Sequence, residues 1–279
     1  MNLNPVLTLT SDFGQKDPFL AVLKAKLHSM LDRPSIVDIS HEIEPFHVAQ
    51  AAFVVQHSYT HFPEGSVHVL CIDDTISPEN KPIIAKLNKH YFVCADNGIL
   101  SLISPKIKPD EVYEIDVKQV PNDSFDSLVV FVYAAAHLMR GGAPNVIGDK
   151  RNEIEISLPF TPSVGNDKNS IIGKVIYIDN YENVITNITE ELFVEIGQQR
   201  PFTIQVRNNE IKQIVRSYAE IIRFDIDKNK RVEGGKELAL FNSLGLLELA
   251  IYKSNPKHTG GAASLFGLQY LDVVSIHFE

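Results

Sequence analysis

The stretch Val6-Leu7-Thr8-Leu9-Thr10-Ser11-Asp12-Phe13-Gly14-Gln15-Lys16-Asp17-Pro18-Phe19 decides the fold class of this chain. Val6 to Thr10 reads as a buried strand that stops at a polar, glycine-containing turn. Asp17-Pro18 then opens a helix. Asp17 offers a side-chain acceptor to the unpaired N–H groups of the first turn, and Pro18 sits where a missing N–H does no harm. Phe19, Leu20, Leu23 and Leu27 follow at helical spacing.

The alternation continues outward. Ile36 to Ile39 is a second short strand, and Val48 to Tyr59 a second apolar helix. Val67 to Ile72 is a strand between Gly65 and Asp73-Asp74. Ile83 to Leu87 and Tyr91 to Cys94 form a hairpin joined at Asn88-Lys89-His90. Val129 to Met139 is an apolar helix that stops at Arg140-Gly141-Gly142. Strands alternating with helices imply a largely parallel α/β sandwich.

Between Leu158 and Ser170 the composition turns polar and rich in Pro, Gly, Asn and Ser. Beyond it the pattern is mostly strands: Lys174 to Ile178, Phe202 to Val206, Glu237 to Phe241, Leu246 to Tyr252 and Val273 to Phe278. The expected organisation is an N-terminal α/β domain over 1–160, a linker over 161–170 and a smaller β-barrel-like domain over 171–279.

The bulk numbers narrow the function classes. The chain has 279 residues, 44% of them hydrophobic, enough for a sizeable core. Its formal net charge of -9 repels phosphate backbones, so nucleic acid is not an expected partner. The run Asp227-Lys228-Asn229-Lys230-Arg231 reads as a solvated turn. Cys71 and Cys94 lack metal-like spacing and sit in apolar runs, as small buried hydrophobes of a reducing compartment do. Met1 to Phe13 has no basic segment before its apolar stretch, and no apolar run reaches the roughly 18 residues a membrane helix needs. The expectation is a cytoplasmic protein with no membrane partner.

Three polar turns fall at strand ends: Thr10 to Gly14, Asp73-Asp74 and Asp96-Asn97-Gly98. Asp, Asn and Gly are the ordinary turn formers, so each has a reading as turn chemistry alone. The carboxyl edge of an open α/β sheet is also where ligands bind, so both readings stand. Asp179-Asn180-Tyr181-Glu182-Asn183 and Phe241-Asn242-Ser243-Leu244-Gly245 are comparable breaks in the second half. They are hairpin turns or donor and acceptor sets for a heterocycle or an amino group.

Taken in order, these segments resemble the S-adenosylmethionine hydroxide adenosyltransferase family, whose superfamily includes fluorinating and chlorinating enzymes. Leu7 to Gly14 with Asp17-Pro18-Phe19 resembles the opening T-D-F-G-x-x-D-x-Y/F signature, and Val37 to Ile43 the D-I-T-H-E-I segment. Gly65 to Val69 leading to Asp73 is similar to the run into the V-D-P-G-V-G loop. Asp96-Asn97-Gly98, Ala134 to Leu138, Asp179 to Asn187 and Ser243 to Ala250 follow in order.

The resemblance implies a homotrimer, with ligand lying between the first domain of one subunit and the second domain of its neighbour. It implies that Asp12 holds the ribose hydroxyls. Asp179, Tyr181 and Asn183 would contact adenine and the methionine amino group, and Ser243 the methionine end. Phe46 lies where an aromatic ring packs on the ligand. No cofactor is expected beyond S-adenosylmethionine as substrate or ligand, and no metal is expected, although an acidic pair at the catalytic positions is also the kind of hard oxygen set that holds a divalent cation.

The catalytic positions depart from the pattern. The family's Asp–Arg–His set maps onto Asp73, Asn80 and Asp126, so the acid is kept while the arginine and histidine are replaced. Leu128 and Val129 stand in place of the Arg and Asp that follow that histidine, the loop glycines are gone, and Ser254 to Thr259 is an insertion. The site is thereby more negative, which suits a sulfonium cation and disfavours an anionic nucleophile such as halide. Two neighbouring carboxylates raise one another's pKa, so Asp126 can serve as general base. Slow hydrolysis to adenosine and L-methionine, and binding of S-adenosylmethionine or adenosine without chemistry, both remain open.

Overall fold

In the computed structural model, residues 4–120, 127–231 and 234–279 are described, and the chain divides into two units, Met1–Pro159 and Phe160–Glu279. The first unit contains β1 (Leu7–Ser11), α1 (Phe19–Met30), β2 (Ile36–Ser40), α2 (Val48–Gln56), β3 (Val67–Cys71), β4 (Pro82–Leu87) and β5 (His90–Ala95). It continues with α3 (Ile99–Ile103), β6 (Glu111–Ile115), α4 (Ser127–Met139) and β7 (Gly148–Arg151).

Its sheet has the order β2-β1-β3-β5-β4-β6-β7. Every residue of β1 is buried, as its apolar run implies. Leu7 and Leu9 face α1 and α4, where Leu23, Leu27 and Phe131 complete one core. The other face carries a second core, with Leu70 and Phe92 against Ala51, Ala52 and Val55 of α2 and Ile99 of α3. The sheet is thus covered on both sides, as an α/β sandwich requires.

Pairing is parallel across β2–β1–β3–β5 and antiparallel across β5–β4–β6–β7. The sheet is therefore mixed rather than largely parallel. The reversal begins at the β4–β5 hairpin, where Asn88 and Lys89 both take positive φ, the two-residue turn that matches strand twist. His90 pairs with Leu87 and so belongs to the strand rather than to the turn.

Some boundaries differ from the expectation. Asp17 does not cap α1: Pro18 is the N-cap residue, and no side chain bonds to that end. The helix α2 stops at Gln56, and Tyr59–His61 forms a separate 3₁₀ turn. Cys71 and Cys94 are buried and neither is in a disulfide. Among the described residues, no helix is long and apolar enough to cross a membrane.

The second unit contains β8 (Ser163–Val164), β9 (Ser170–Ile178), β10 (Val184–Thr189), α5 (Glu190–Gly197), β11 (Phe202–Val206) and β12 (Asn209–Ile211). It ends with β13 (Glu237–Phe241), β14 (Leu246–Ile251), α6 (Ala262–Phe266) and β15 (Val273–Phe278). The strands follow the order β12-β11-β15-β9-β10-β14-β13, with β8 on β9. Just beyond β12, Ile214 bridges Ala239 of β13, at the other end of that order. One short run of chain thus touches both edges and nearly closes a barrel. Its interior is apolar, with Val175, Ile204, Leu247, Leu249 and Ile276 buried and Phe266 of α6 against them. The segment 161–170 carries β8 and the turn into β9.

Candidate functional site

The strand order fixes where a ligand crevice opens in the first unit. From β1 the chain crosses to β2 on one side, then returns to β3 on the other side of β1. Their connecting helices lie on opposite faces, since α1 packs with α4 and α2 with α3. The carboxyl ends of β1 and β3 therefore flank a topological switch point. Asp12 follows β1 there, and Asp73 stands two residues beyond β3.

Asp12 and Asp73 are joined by a web of short bonds. The Asp12 backbone N–H donates to the Cys71 carbonyl at 3.3 Å, extending the β1–β3 pairing. Asp12 Oδ2 accepts from the Phe46 backbone N–H at 2.9 Å and lies 3.5 Å from the Asp73 nitrogen. Phe46 and Asp73 both adopt left-handed backbone, with φ of 64° and 44°. Left-handed backbone costs a residue that carries a Cβ, aspartate less than phenylalanine, so neighbouring bonds must hold it. At Asp73 the determinants are visible: its carbonyl accepts from Asn80 Nδ2 at 2.8 Å and Asn97 Nδ2 at 3.3 Å. Asn97 also donates to the Ile72 carbonyl at 2.9 Å.

Asn80 uses its amide within its own loop, since Nδ2 also donates to the Thr75 carbonyl at 3.1 Å. It closes the turn from Asp73 to Asn80. Beside it lies a cavity of about 340 Å³ lined by Asp73, Thr75, Ser77, Glu79, Asn80, Asp96, Asn97 and Glu155. Its carboxylates give it negative character. Asp96 is partly compensated, since its carboxylate meets Arg151 Nη1 at 2.9 Å and accepts the Glu155 N–H at 2.9 Å. The Phe46 ring stands 71% exposed. Asp126 lies outside the described residues. Among the described residues, no group of three or more His, Cys, Asp or Glu side chains is placed to hold a metal ion.

In the second unit, Asp179 closes the turn between β9 and β10. Its Oδ1 accepts from the Tyr181 and Asn183 N–H groups at 2.8 Å each, and Oδ2 from Asn183 Nδ2 at 3.0 Å. The Asp179 and Asn183 side chains thus bind each other, while the Tyr181 ring is 64% exposed. Glu182 docks the start of α6, accepting from the Gly261 N–H at 2.7 Å and from the Ser264 hydroxyl. The Ser264 and Gly261 bonds hold its carboxyl below the usual range. A side chain at Gly261 would meet the Tyr181 carbonyl at 2.4 Å, so glycine is needed there.

Ser243 is exposed in the β13–β14 turn, which its neighbour Asn242 organises. Asn242 Oδ1 accepts from the Leu244 and Leu246 N–H groups at 3.0 and 3.2 Å. Its Nδ2 donates to Glu248 at 3.1 Å. Glu248 is buried and also accepts from the Tyr218 hydroxyl, and burial with this bond pushes that phenol's pKa up. Tyr218, Glu248 and the positioning bonds of Asn97 were not legible as site features. The Asp96-Asn97-Gly98 turn at a strand end was the one signal for Asn97.

The sequence matches the SAM hydroxide adenosyltransferase N-terminal domain over residues 7–148 and the corresponding C-terminal domain over 173–275. It is similar to an (R)-S-adenosyl-L-methionine hydrolase of Methanocaldococcus jannaschii, 27% identical over 97% of this chain and 95% of that protein. A protein of the same name from Thermus thermophilus is also 27% identical, over 93% of this chain and 96% of its own length. A fluorinase of Actinopolyspora mzabensis is 22% identical over 69% of this chain and 74% of its own. The crystal structure of an uncharacterized conserved protein from Thermotoga maritima superposes with a TM-score of 0.81 at 26% identity, covering 98% of this chain and 100% of that one.

Proposed function

Because this chain belongs to the SAM hydroxide adenosyltransferase family, we propose that it hydrolyses S-adenosylmethionine to adenosine and L-methionine. A water oxygen bonds to the ribose 5′-carbon, the carbon–sulfur bond breaks with its electron pair passing to sulfur, and the water's proton passes to a carboxylate. The sulfonium becomes a neutral thioether. Holding water and carbon in line, with a base at hand, is the enzyme's task.

Asp12 accepts from the ribose hydroxyls through Oδ1, since Oδ2 is engaged by Phe46, and the exposed Phe46 ring packs on the ligand. Asp73 orients the attacking water and Asp126 takes its proton. Asn80 acts as the tie of the Asp73 loop. Tyr181, Ser243 and the turn closed by Asp179 and Asn183 serve the adenine and methionine ends. The acidic cavity attracts a cation and repels halide, which argues for water as nucleophile. The working form is a homotrimer in the cytoplasm, following the family resemblance, with each site shared by neighbouring subunits.

The observation that carries this reading is the backbone of Asp73, held left-handed by amides from two other positions at the sheet's switch point. Incubation of the pure protein with S-adenosylmethionine, followed by chromatography, should release adenosine and methionine in equal amounts. Binding without release over hours would leave a non-catalytic S-adenosylmethionine or adenosine-binding protein. That second reading is favoured by Asn80, whose tied, uncharged amide supplies no cation at the family's arginine position.

A further inference from the structure

Behind Asp12 runs a line of polar groups that the proposed reaction does not use. Ser11 is 0% exposed, and its Oγ lies 2.7 Å from Nδ1 of the buried His41. His41 Nε2 faces the Asp38 carboxylate at 3.2 Å, and Asp38 meets Lys24 Nζ at 2.5 Å. The His41–Asp38 contact is electrostatic, not an aligned hydrogen bond. In the neutral ring, a carboxylate on that side favours the tautomer with the proton at Nε2, in which Nδ1 accepts from the Ser11 hydroxyl. Burial opposes ionisation of Asp38, but Lys24 and His41 outweigh it and hold that carboxyl below its ordinary range.

Serine, histidine and aspartate in this order suggest an activated nucleophile. Ser11 has no exposed surface, so no substrate reaches its oxygen. What the line does touch is the loop that carries Asp12. The Gly14 N–H donates to the His41 carbonyl at 2.8 Å, and the Phe13 N–H reaches Ser11 Oγ at 3.4 Å. His41 therefore grips the chain on both sides of Asp12, through its ring at Ser11 and its backbone at Gly14. The direction of a carboxylate matters because hydrogen bonds weaken steeply away from linearity.

We propose that His41 is a positioning residue for Asp12, setting through Ser11 and Gly14 the direction in which that carboxylate meets the vicinal hydroxyls of a bound ribose. This rests on the reading of Asp12 as the ribose acceptor. The ring acts at two points, with Nδ1 at the Ser11 hydroxyl and Nε2 toward the Asp38 carboxylate. Glutamine also offers an acceptor and a donor.

The test is calorimetric titration of adenosine into the parent protein and into Asp12→Ala, His41→Ala, the double variant, His41→Gln and Ser11→Ala. His41→Ala should weaken adenosine binding about tenfold, the scale of one hydrogen bond to a charged group. It should have almost no further effect in the Asp12→Ala background, and His41→Gln should recover most of the loss. Should His41→Ala fail to fold, Ser11→Ala carries the same expectation at smaller size. If Asp12→Ala weakens binding while His41→Ala and Ser11→Ala do nothing, or act equally in both backgrounds, the positioning role is overturned and the Asp12 reading survives. If Asp12→Ala leaves adenosine affinity unchanged, both fall together.

Discussion

Asp12 Oδ2 accepts the backbone N–H of Phe46 at 2.9 Å, across 34 residues of sequence. The acid at the end of the first strand thereby holds in place the loop whose aromatic ring stands most open to solvent near it. One oxygen has a structural partner, and the other is the one assigned to a ligand.

Asp12→Ala should therefore weaken adenosine binding by about 1.5–3 kcal/mol, the worth of a hydrogen bond to a charged group. It should also loosen the Phe46 loop. Calorimetry reads the first effect, and proteolytic cleavage near Phe46 reads the second. Unchanged adenosine affinity would remove Asp12 from the ligand site.

Asp126→Ala should nearly abolish release of adenosine, by about a hundred- to ten-thousand-fold for a lost general base, with adenosine affinity kept. Full turnover by Asp126→Ala would assign the proton to another group.

Asn80→Arg alone should not restore the family's chemistry. It removes the amide that donates to the Asp73 and Thr75 carbonyls, two bonds worth about 0.5–1.5 kcal/mol each. The expected result is a less stable first unit by denaturant titration and a lower rate. Asn80→Arg with Asp126→His should exceed Asn80→Arg alone.

Stability should fall in mild acid because of His68. Its ring is buried on β3 between the Thr8 hydroxyl at 2.7 Å and His90 at 3.1 Å. Burial, helped by the His90 charge, pushes its pKa down to about 3. The folded ring refuses a proton that the unfolded ring accepts below about 6.5, so the unfolded state binds more protons in that window. The His68 contribution to stability is fully present above about pH 6.5 and is lost as pH falls toward 3. Denaturant midpoints across this range should show the decline, and His68→Phe should flatten it.

Glu248→Ala should destabilise the second unit by about 1–3 kcal/mol or more, because the Tyr218 hydroxyl and the Asn242 amide lose a buried acceptor. Glu248→Gln should cost less. The Ser243 turn should loosen with it, which hydrogen exchange at Leu244 and Leu246 would report.

Much of this protein was written in its local sequence. Apolar periodicity and glycine-rich stops determined the α/β first half and the strand-rich second half, because burial of a strand or a helix face depends on neighbours a few residues away. Phe202–Val206, Glu237–Phe241 and Val273–Phe278 formed with the ends their sequence implied. Asp12 and Asp73 at strand ends were legible for the same reason. Tertiary structure alone decided which partners those side chains found. Thr8 meets His68 and Ser11 meets His41 only because β1 lies between β2 and β3. Asn80 became a loop tie, and Asn97 a clamp on Asp73, through carbonyls that no residue spacing identifies. Asp17 lost its expected cap to Pro18. A hydrogen bond needs two groups within about 3 Å and aligned, and between residues 30 or 60 apart that condition is set by strand order and register.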